Sequence, residues 1–335
     1  MDENDPVLSQ QTQVVSRLVD HYSRVTVITG RLGKYKKHSN LTVIDSNWVV
    51  GKRFLSATRF LFKAIPVLIR NRPQLIFSHM TEVQSLLISL VTFTLRIKHF
   101  LWYAHSKKSF SLRWNHVLLD GIITSTSGSC PIISSKIYTI GQAVDSKQFP
   151  LRDLNNLRLE KLLHIGRFDR SKNVSMIINE VEISHKSFPE LKLTLIGSPS
   201  NTTEKIYADL IETNYNISVI NGWLIFKNSI LRSDAPKILK ENDAFIHAYQ
   251  GSLDKTLVEA TLVGLPVVTI NIEYLKEFGN WDLSNGFHVT LSEQIQYLKS
   301  LPAKDLEKEL NIRREIAVEK HSLDKWIERL VKVIN

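Results

Sequence analysis

Short apolar runs alternate with longer amphipathic stretches along all 335 residues of the chain. Short apolar runs predict buried strands, whereas apolar residues that recur every three or four positions predict helices. In the first half, the pattern predicts strands at Val25–Thr29, Leu41–Asp45, Gln74–Ser78, Phe100–Tyr103, Gly121–Thr124 and Lys136–Ile140. Between these strands it predicts the helices Lys52–Arg70, Thr81–Arg96 and Lys107–Leu119.

The second half of the chain repeats this alternation. Its predicted strands are Leu162–Gly166, Leu191–Ile196, Ile217–Ile220, Ala244–His247 and Pro266–Ile270. Its predicted helices are Val174–Ser187, Thr203–Asn214, Asp234–Glu241 and Thr256–Val263. Strands that alternate with helices form parallel sheets with right-handed crossovers. The two runs therefore predict an α/β fold with two doubly wound, Rossmann-like domains.

A proline followed by polar residues, beginning at Pro150, marks the boundary between these domains. We expect a first domain over residues 1–145, a linker over 146–160, a second domain over 161–318 and a final helix over 319–335. Packing of that helix against the first domain is one arrangement. The chain opens on a loop and a predicted helix, Gln11–His21, so the strand that usually opens a doubly wound domain is not evident. Either the start is truncated or the domain is built without that strand.

The composition narrows the class of protein. Apolar residues make up 43% and charged residues 23% of the chain, as in soluble globular proteins. No apolar run approaches the roughly 18 residues of a membrane span. The acidic start, Met1 to Asp5, does not resemble a secretory signal. The single cysteine, Cys130, excludes an internal disulfide and a cysteine metal cluster, so we expect a cytoplasmic protein.

Positive charge is concentrated in the segment 51–117. The chain carries a net charge of +10, and this segment holds eleven basic residues but only one acidic residue, Glu82. Its basic residues are Lys52, Arg53, Arg59, Lys63, Arg70, Arg72, Arg96, Lys98, Lys107, Lys108 and Arg113. The helix predicted at Lys52–Arg70 is basic and amphipathic, with an interruption expected at Pro66. An anionic membrane surface and a core helix with solvated charges are equal alternatives for it.

A first candidate site is the turn Gly166-Arg167-Phe168-Asp169-Arg170-Ser171-Lys172. It follows a predicted buried strand and precedes a helix, so backbone N–H groups and the positive helix end point at one place. Arg167 and Lys172 add two cations, which can neutralise a diphosphate without a metal ion. As an isolated pattern, these two residues would more often be ordinary surface charges.

A second candidate site is the turn Gly251-Ser252-Leu253-Asp254-Lys255-Thr256, which also lies between a strand and a helix. Gly251 and Ser252 suit a tight loop whose amides face a phosphate. Glu259 lies about one helical turn beyond Thr256, and a carboxylate there can hold a ribose diol. Taken alone, Glu259 would be a carboxylate on a helix surface.

Together, the two turns resemble the retaining GT-B glycosyltransferases of family GT4. In that family a G-R-x4-K-like turn precedes an E-x7-E loop and helix that ends in A-x3-G-x-P. The matching residues are Gly166, Arg167 and Lys172 in the first motif and Glu259, Ala260, Gly264 and Pro266 in the second. The S-L-D-K-T-x-x-E-A pattern from Ser252 is similar to that of a bacterial and archaeal subgroup. The first glutamate of E-x7-E falls on Gly251, where its sugar-contacting carboxylate is missing. Either Gln250, Ser252 or Asp254 replaces it, or the donor sugar is held differently.

The resemblance implies a role for each candidate residue. Two Rossmann-like domains would face each other across a cleft, with the acceptor on the side of the first. The catalytic residues would be His105, at the junction of donor phosphate and acceptor, with Arg167 and Lys172 stabilising the diphosphate. The donor-binding residues would be Gly166, Arg167, Lys172, Gly222, Ser252, Leu253, Asp254, Lys255, Thr256 and Glu259. In this set Gly222 borders the base and Glu259 holds the ribose.

The function implied is retaining, metal-independent transfer of a hexose from a nucleoside-diphosphate sugar to a hydroxyl acceptor, without a cofactor. A glycan or lipid-linked acceptor is expected, in polysaccharide, envelope glycan or glycolipid synthesis. The basic segment suggests peripheral contact with the inner face of the plasma membrane. A degenerate, non-catalytic nucleotide-binding relative is the alternative. A nucleic-acid-binding protein is a weaker one, since no binding motif accompanies the basic charge.

Overall fold

The computed structural model describes residues 1–3, 10–49, 51–154, 157–281 and 290–335. Residues 155 and 156 of the predicted linker lie outside the described residues. The chain divides into two compact units, the first formed by Met1–Ala143 with Leu323–Asn335 and the second by Val144–Ser322. Both units contain parallel sheets with helical crossovers, so the predicted α/β fold is confirmed.

In its described residues, the first unit contains six strands in two parallel sheets. The strands are β1 (Val25–Thr29), β2 (Leu41–Asp45), β3 (Leu75–His79), β4 (Lys98–Trp102), β5 (Gly121–Thr124) and β6 (Ile137–Thr139). β1 pairs with β2, and the second sheet has the order β3-β4-β5-β6. Its helices before residue 143 are α1 (Gln10–Leu18), α2 (Arg53–Asn71), α3 (Glu82–Thr94) and α4 (Phe110–Leu118).

Helix α2 differs from its prediction at Pro66. We expected an interruption there, but the helix runs without a break from Arg53 to Asn71. Proline cannot donate the backbone hydrogen bond to the fourth residue before it, so the helix loses one bond at this point. Buried side chains on either side of the proline, Ala64 and Leu68, hold the helix against the sheet.

A closed polar cluster lies inside the first unit, around His99 on β4. Its Nε2 lies 2.9 Å from Ser78 Oγ and 3.1 Å from Ser85 Oγ. Its Nδ1 lies 3.2 Å from Thr92 Oγ1. Burial lowers the pKa of His99 to about 3. The histidine is therefore neutral, and both ring nitrogens have hydroxyl partners.

The part of the second unit that the structure describes is built on one five-stranded parallel sheet. Its strands are β7 (Lys161–Ile165), β8 (Lys192–Ile196), β9 (Leu224–Lys227), β10 (Ala244–His247) and β11 (Val267–Thr269), in the order β11-β10-β7-β8-β9. Its helices are α5 (Val174–Ser187), α6 (Thr202–Asn214), α7 (Asn216–Ile220), α8 (Ala235–Lys240), α9 (Lys255–Val263), α10 (Ile272–Phe278), α11 (Leu291–Ser300) and α12 (Ala303–His321). Successive buried side chains of a strand, such as Leu162 and Leu163, belong to two different apolar clusters, one on each face of the sheet.

Helix α13 (Leu323–Ile334) returns to the first unit. It carries a wide apolar face, and Trp326 is fully buried with its ring 5.2 Å from that of Trp102 on β4. None of the described helices is both long and apolar enough to cross a membrane.

One predicted strand is wrong. The segment Ile217–Ile220 lies in the short helix α7, and the strand that pairs with β8 is β9, which begins at Leu224. Its isoleucines and valine favour a strand by propensity, but Ile217 and Ile220 are exposed while Leu224 is buried in the sheet.

Candidate functional site

The two predicted turns meet at one edge of the sheet in the second unit. β7 and β10 are neighbours, and the chain proceeds from β7 through β8 to β9 on one side and from β10 to β11 on the other. Such a reversal of strand order opens a crevice at the carboxyl ends of the two strands, where open α/β sheets bind ligands. The first turn follows β7 and the second follows β10, so both predicted motifs border this crevice.

Glycines allow the strand ends to lie close together here. The N–H of Gly166 donates to the carbonyl of Ile196, at the end of β8, over 3.0 Å. A Cβ atom added to Gly166 would lie 2.7 Å from His164 Nε2. A Cβ atom on Gly197 would overlap the Gly166 carbonyl. The backbone can therefore make this turn only where side chains are absent.

Arg167 extends from the first turn toward solvent. Its side chain is 61% exposed, and its Nη1 lies 3.1 Å from Asp169 Oδ2. Asp169 is buried and its Oδ1 accepts a hydrogen bond of 3.0 Å from the N–H of Ser200. A fixed carboxylate thus orients the guanidinium and leaves most of it accessible to a ligand.

Lys172 joins the first turn to the second. It is 7% exposed, forms an ion pair with Asp254, and its Nζ lies 4.1 Å from the centre of the Tyr249 ring. The next residue, Asn173, has a φ of 50° and donates from Nδ2 to the carbonyl of Ala248 over 3.3 Å. These contacts cross-link the two turns.

Asp254 is the acidic centre of the site. Besides Lys172, it accepts a hydrogen bond from His247 Nε2 at 3.1 Å. Burial alone would raise the pKa of the Asp254 carboxyl, but the Lys172 charge and the His247 hydrogen bond hold that pKa well below its usual range. Burial lowers the pKa of His247, and it lowers the pKa of the neighbouring His164 to about 3. The carboxylate is therefore charged across the physiological pH range.

Glu259 has a partner that the sequence reasoning missed. It is 1% exposed on α9 and forms an ion pair with Arg232, which lies in the connection between β9 and α8. Burial lowers the pKa of the Arg232 guanidinium to about 10, partly offset by Asp254. No local motif marks Arg232, because 26 residues separate it from Glu259 along the chain.

The start of α9 holds the other predicted loop residues. Burial, together with the nearby charge of Arg232, lowers the pKa of Lys255 to about 7. In the part of the chain that the structure describes, Thr256 Oγ1 is buried without a hydrogen-bond partner. Ser252 is buried beside them, whereas the Leu253 side chain packs in the apolar core and can contribute only its backbone to a ligand.

The loop before α9 is held by Asn271, which is fully buried. Its Nδ2 lies 2.8 Å from the carbonyl oxygen of Tyr249 and 3.3 Å from those of Gly251 and Ser252. Its Oδ1 accepts the N–H of Tyr274 at 2.9 Å and so caps α10. One side chain therefore fixes three successive parts of the loop.

The structure does not bring Gly222 together with the other predicted site residues. Gly222, which the sequence analysis assigned to the base, precedes β9 and lies at the amino end of the sheet. Because all five strands are parallel, this edge is opposite the crevice. A cavity of about 440 Å³ lies instead at the carboxyl ends of β8 and β9, lined by Phe168, Gly197, Lys205, Phe226 and Asn228 among others.

His105 belongs to the first unit. It follows β4, is exposed, and its Nδ1 accepts the N–H of Lys107 at 3.0 Å. Among the described residues, no group of three or more histidine, cysteine, aspartate or glutamate side chains is arranged to hold a metal ion.

Part of the second unit is similar in sequence to one protein family. Residues 160–298 match the profile of the family described as "Glycosyl transferases group 1". This region contains β7 to β11 and both turns of the site. A search of curated proteins returned no significant match.

Solved structures resemble the chain over its full length. HepE from Anabaena in complex with UDP-glucose is 15% identical with a TM-score of 0.73, over 99% of this chain and 97% of that one. Sucrose-phosphate synthase from Thermosynechococcus elongatus is 14% identical with a TM-score of 0.72, over 97% and 91%. A glycosyltransferase from Rickettsia africae is 13% identical with a TM-score of 0.71, over 99% and 96%. At these identities the likeness establishes the fold.

Proposed function

We propose that this chain is a retaining, metal-independent glycosyltransferase that moves a sugar from a nucleoside-diphosphate sugar to a hydroxyl acceptor. The observation that carries the proposal is the convergence of Arg167, Lys172, Lys255 and Glu259 at the switch point between β7 and β10. This arrangement lies within the region that matches the glycosyltransferase family.

The cations would bind the diphosphate of the donor and stabilise it as it leaves. Arg167 is exposed and oriented by Asp169, while Lys172 and Lys255 lie at the two turns. The Thr256 hydroxyl, which has no hydrogen-bond partner among the described residues, and the first N–H groups of α9 provide further donors for phosphate oxygens. Charge fixed in advance where negative charge develops lowers the barrier without reorganisation. In this proposal, no metal ion or cofactor is required.

The nucleoside would lie along the carboxyl ends of the strands. Arg232 contacts Oε1 of Glu259, and we assign the other carboxylate oxygen to the ribose diol. The cavity beside Phe168 and Phe226, whose rings lie 6.2 Å apart, has apolar faces suitable for a base. His105 is assigned to the acceptor side, with a glycan or lipid-linked acceptor of polysaccharide, envelope glycan or glycolipid synthesis.

The proposal is tested with Arg167→Ala. This side chain is largely exposed, so the variant is expected to fold, and turnover is expected to fall by about 100-fold or more because a stabilising charge is lost. Transfer and donor hydrolysis are measured with UDP-, GDP- and ADP-linked sugars. Arg170→Ala in the same turn is the matched control, since its guanidinium lies 5.3 Å above the Tyr207 ring. Wild-type turnover by a folded Arg167→Ala variant contradicts the proposal.

We also propose that α2 rests on an anionic membrane surface, at the cytoplasmic face of the plasma membrane. Phe54 and Phe62 are 85% and 80% exposed, and with Ile69 they fall on one side of the helix. Exposed basic side chains lie beside this apolar stripe, at Arg59, Lys63 and Arg70. Exposed aromatic rings next to basic residues are typical of helices that lie in a membrane interface.

Vesicle flotation tests the membrane contact. The protein is expected to float with phosphatidylglycerol vesicles at low salt and much less at high salt, since salt screens the lysine and arginine charges. The Phe54→Ser/Phe62→Ser double variant should lose the part of the vesicle binding that persists at high salt in the wild-type protein. Equal recovery with phosphatidylcholine and phosphatidylglycerol vesicles would count against an anionic surface.

A further inference from the structure

Tyr249 occupies the place of a side chain that the second turn lacks. It follows β10 by two residues and is half-buried. A Cβ atom added to Gly251 would overlap the Tyr249 hydroxyl and lie 2.7 Å from its ring at Cε2. The phenol ring therefore fills the space into which a side chain at position 251 would project.

The alternatives expected from the sequence do not fill this space. Gln250 is exposed, and Ser252 is buried with its carbonyl bound by Asn271. Asp254 is occupied by Lys172 and His247. A phenol hydroxyl from a different position thus stands where the motif would have supplied a carboxylate.

The contacts of Tyr249 place it at one end of the site. Glu259, the proposed ribose ligand, pairs with Arg232, whose charge interacts with that of Asp254. Asp254 pairs with Lys172, and the Lys172 ammonium lies 4.1 Å above the Tyr249 ring. In this chain of contacts, the phosphate-binding lysine separates Tyr249 from the ribose ligand. A nucleotide sugar has the same order, with its diphosphate between the ribose and the sugar.

We propose that Tyr249 binds the sugar of the donor, with its hydroxyl donating a hydrogen bond to a sugar hydroxyl. The inference rests on the proposed function and names the group that contacts the transferred sugar. The Lys172 cation over the ring face draws electron density from the phenol and makes its O–H a stronger donor. Because the phenol is neutral, the contact adds orientation without adding negative charge beside the diphosphate.

Tyr249→Phe separates this role from packing, since it keeps the ring and removes only the hydroxyl. Calorimetry with UDP, GDP and ADP and with the glucose-linked form of each identifies the pair that the wild-type protein binds most tightly. For that pair, the variant is expected to bind the free diphosphate within about twofold of wild type. It should bind the nucleotide sugar about 3- to 10-fold more weakly, as for one lost hydrogen bond.

Tyr207→Phe is the matched control, because Tyr207 also lies beneath a cation, Arg170, but not beside Gly251. It should leave both affinities unchanged. The inference is overturned if Tyr249→Phe weakens diphosphate and nucleotide sugar equally or changes neither. Failure of wild-type protein to bind any of the six compounds overturns the proposed function itself, which is a different result.

Three further variants test the position of the ring. Gly251→Ala forces the phenol aside and is expected to weaken nucleotide-sugar binding at least as much as Tyr249→Phe. In a Tyr249→Ala background, the same Gly251→Ala change should have little further effect, because the overlap is gone. Thermal unfolding verifies that all three variants fold. A loss from Gly251→Ala that is equal in both backgrounds contradicts the assignment.

Discussion

Each unit of this protein buries a polar cluster, and the two clusters are built differently. In the first unit, His99 is neutral and both of its ring nitrogens are matched by hydroxyls of Ser78, Ser85 and Thr92. In the second unit, the cluster is centred on the ion pair of Lys172 and Asp254 and lies at the open ends of strands. Both clusters contain histidines whose pKa burial lowers, but only the second borders a crevice.

The difference separates polar groups that specify a fold from polar groups arranged for a ligand. A closed neutral cluster fixes how α3 packs against β3 and β4, and it offers no group to a solute. Burying opposite charges at the switch point costs desolvation free energy, which a neutral cluster such as that around His99 avoids. An anionic ligand can recover part of that cost by contacting the cations and the unpartnered Thr256 hydroxyl.

The largest effect is expected from Lys172→Met, which keeps much of the side-chain volume and removes the buried cation. Turnover of the nucleotide sugar should fall by about 100- to 1000-fold, because the diphosphate loses its charge partner. Steady-state transfer with the best donor measures this effect. Lys186→Met, at an exposed position in the last turn of α5, is the control and should behave as wild type. Equal turnover in the two variants would remove Lys172 from the site.

An intermediate effect is expected from His99→Gln, and it concerns stability rather than turnover. Below pH 6.5 the unfolded chain gains a proton on His99, whereas the folded pKa is about 3. Stability from this neutral histidine is therefore present above pH 6.5 and is lost as the pH falls toward 3, by about 1.4 kcal/mol per pH unit. The variant lacks this dependence. Its deficit relative to wild type should shrink by about 2 kcal/mol between pH 6.5 and pH 5.

Denaturant unfolding at the two pH values measures that deficit for His99→Gln. Kinetic constants for transfer should remain those of the wild-type protein at pH 7.5, which contrasts this cluster with the one around Lys172. A deficit that stays constant with pH would show that His99 is not held neutral by the fold.

The smallest effect is expected from Asp254→Asn. Removing the carboxylate beside Lys172 takes away a negative charge near the diphosphate, so affinity for the free nucleoside diphosphate should rise by about 3- to 10-fold. Stability should fall at the same time, because a buried lysine loses its ion partner. Calorimetry and thermal unfolding measure the two quantities. Asp305→Asn, an exposed change in the first turn of α12, is the control. Weaker diphosphate binding by Asp254→Asn would instead assign the carboxylate to the positioning of Lys172.

Much of the second unit could be predicted from the sequence, because its elements have clear periodicity. Helix α5 has the predicted bounds, Val174–Ser187, since buried residues recur along one face. Both turns were found because each lies between an apolar strand and an amphipathic helix. Parallel alternation then brings the carboxyl ends of strands to one edge of a sheet, even for turns that are distant in sequence.

The sequence predictions failed for two reasons. Local propensity was misleading in one segment, and some side-chain contacts join residues that have no common motif. The residues of α7 have strand-like propensity, but packing favours β9 as the strand, and this shift moved Gly222 to the opposite edge. The pairing of Arg232 with Glu259 and the overlap of Tyr249 with position 251 depend on side-chain directions in three dimensions. Neither has a periodic or motif signature.

The hydrogen bonds from Asn271 to the loop affect which sugar donors the proposed site is expected to accept. By holding the carbonyls of Tyr249, Gly251 and Ser252, it orders the loop during folding rather than during binding. A ligand then meets a preformed surface and loses little affinity to loop ordering. The same rigidity prevents the loop from reshaping itself around a sugar of different stereochemistry. Selectivity at this loop is therefore expected to follow the fixed direction of its groups, and Asn271, which is fully buried, helps to set it.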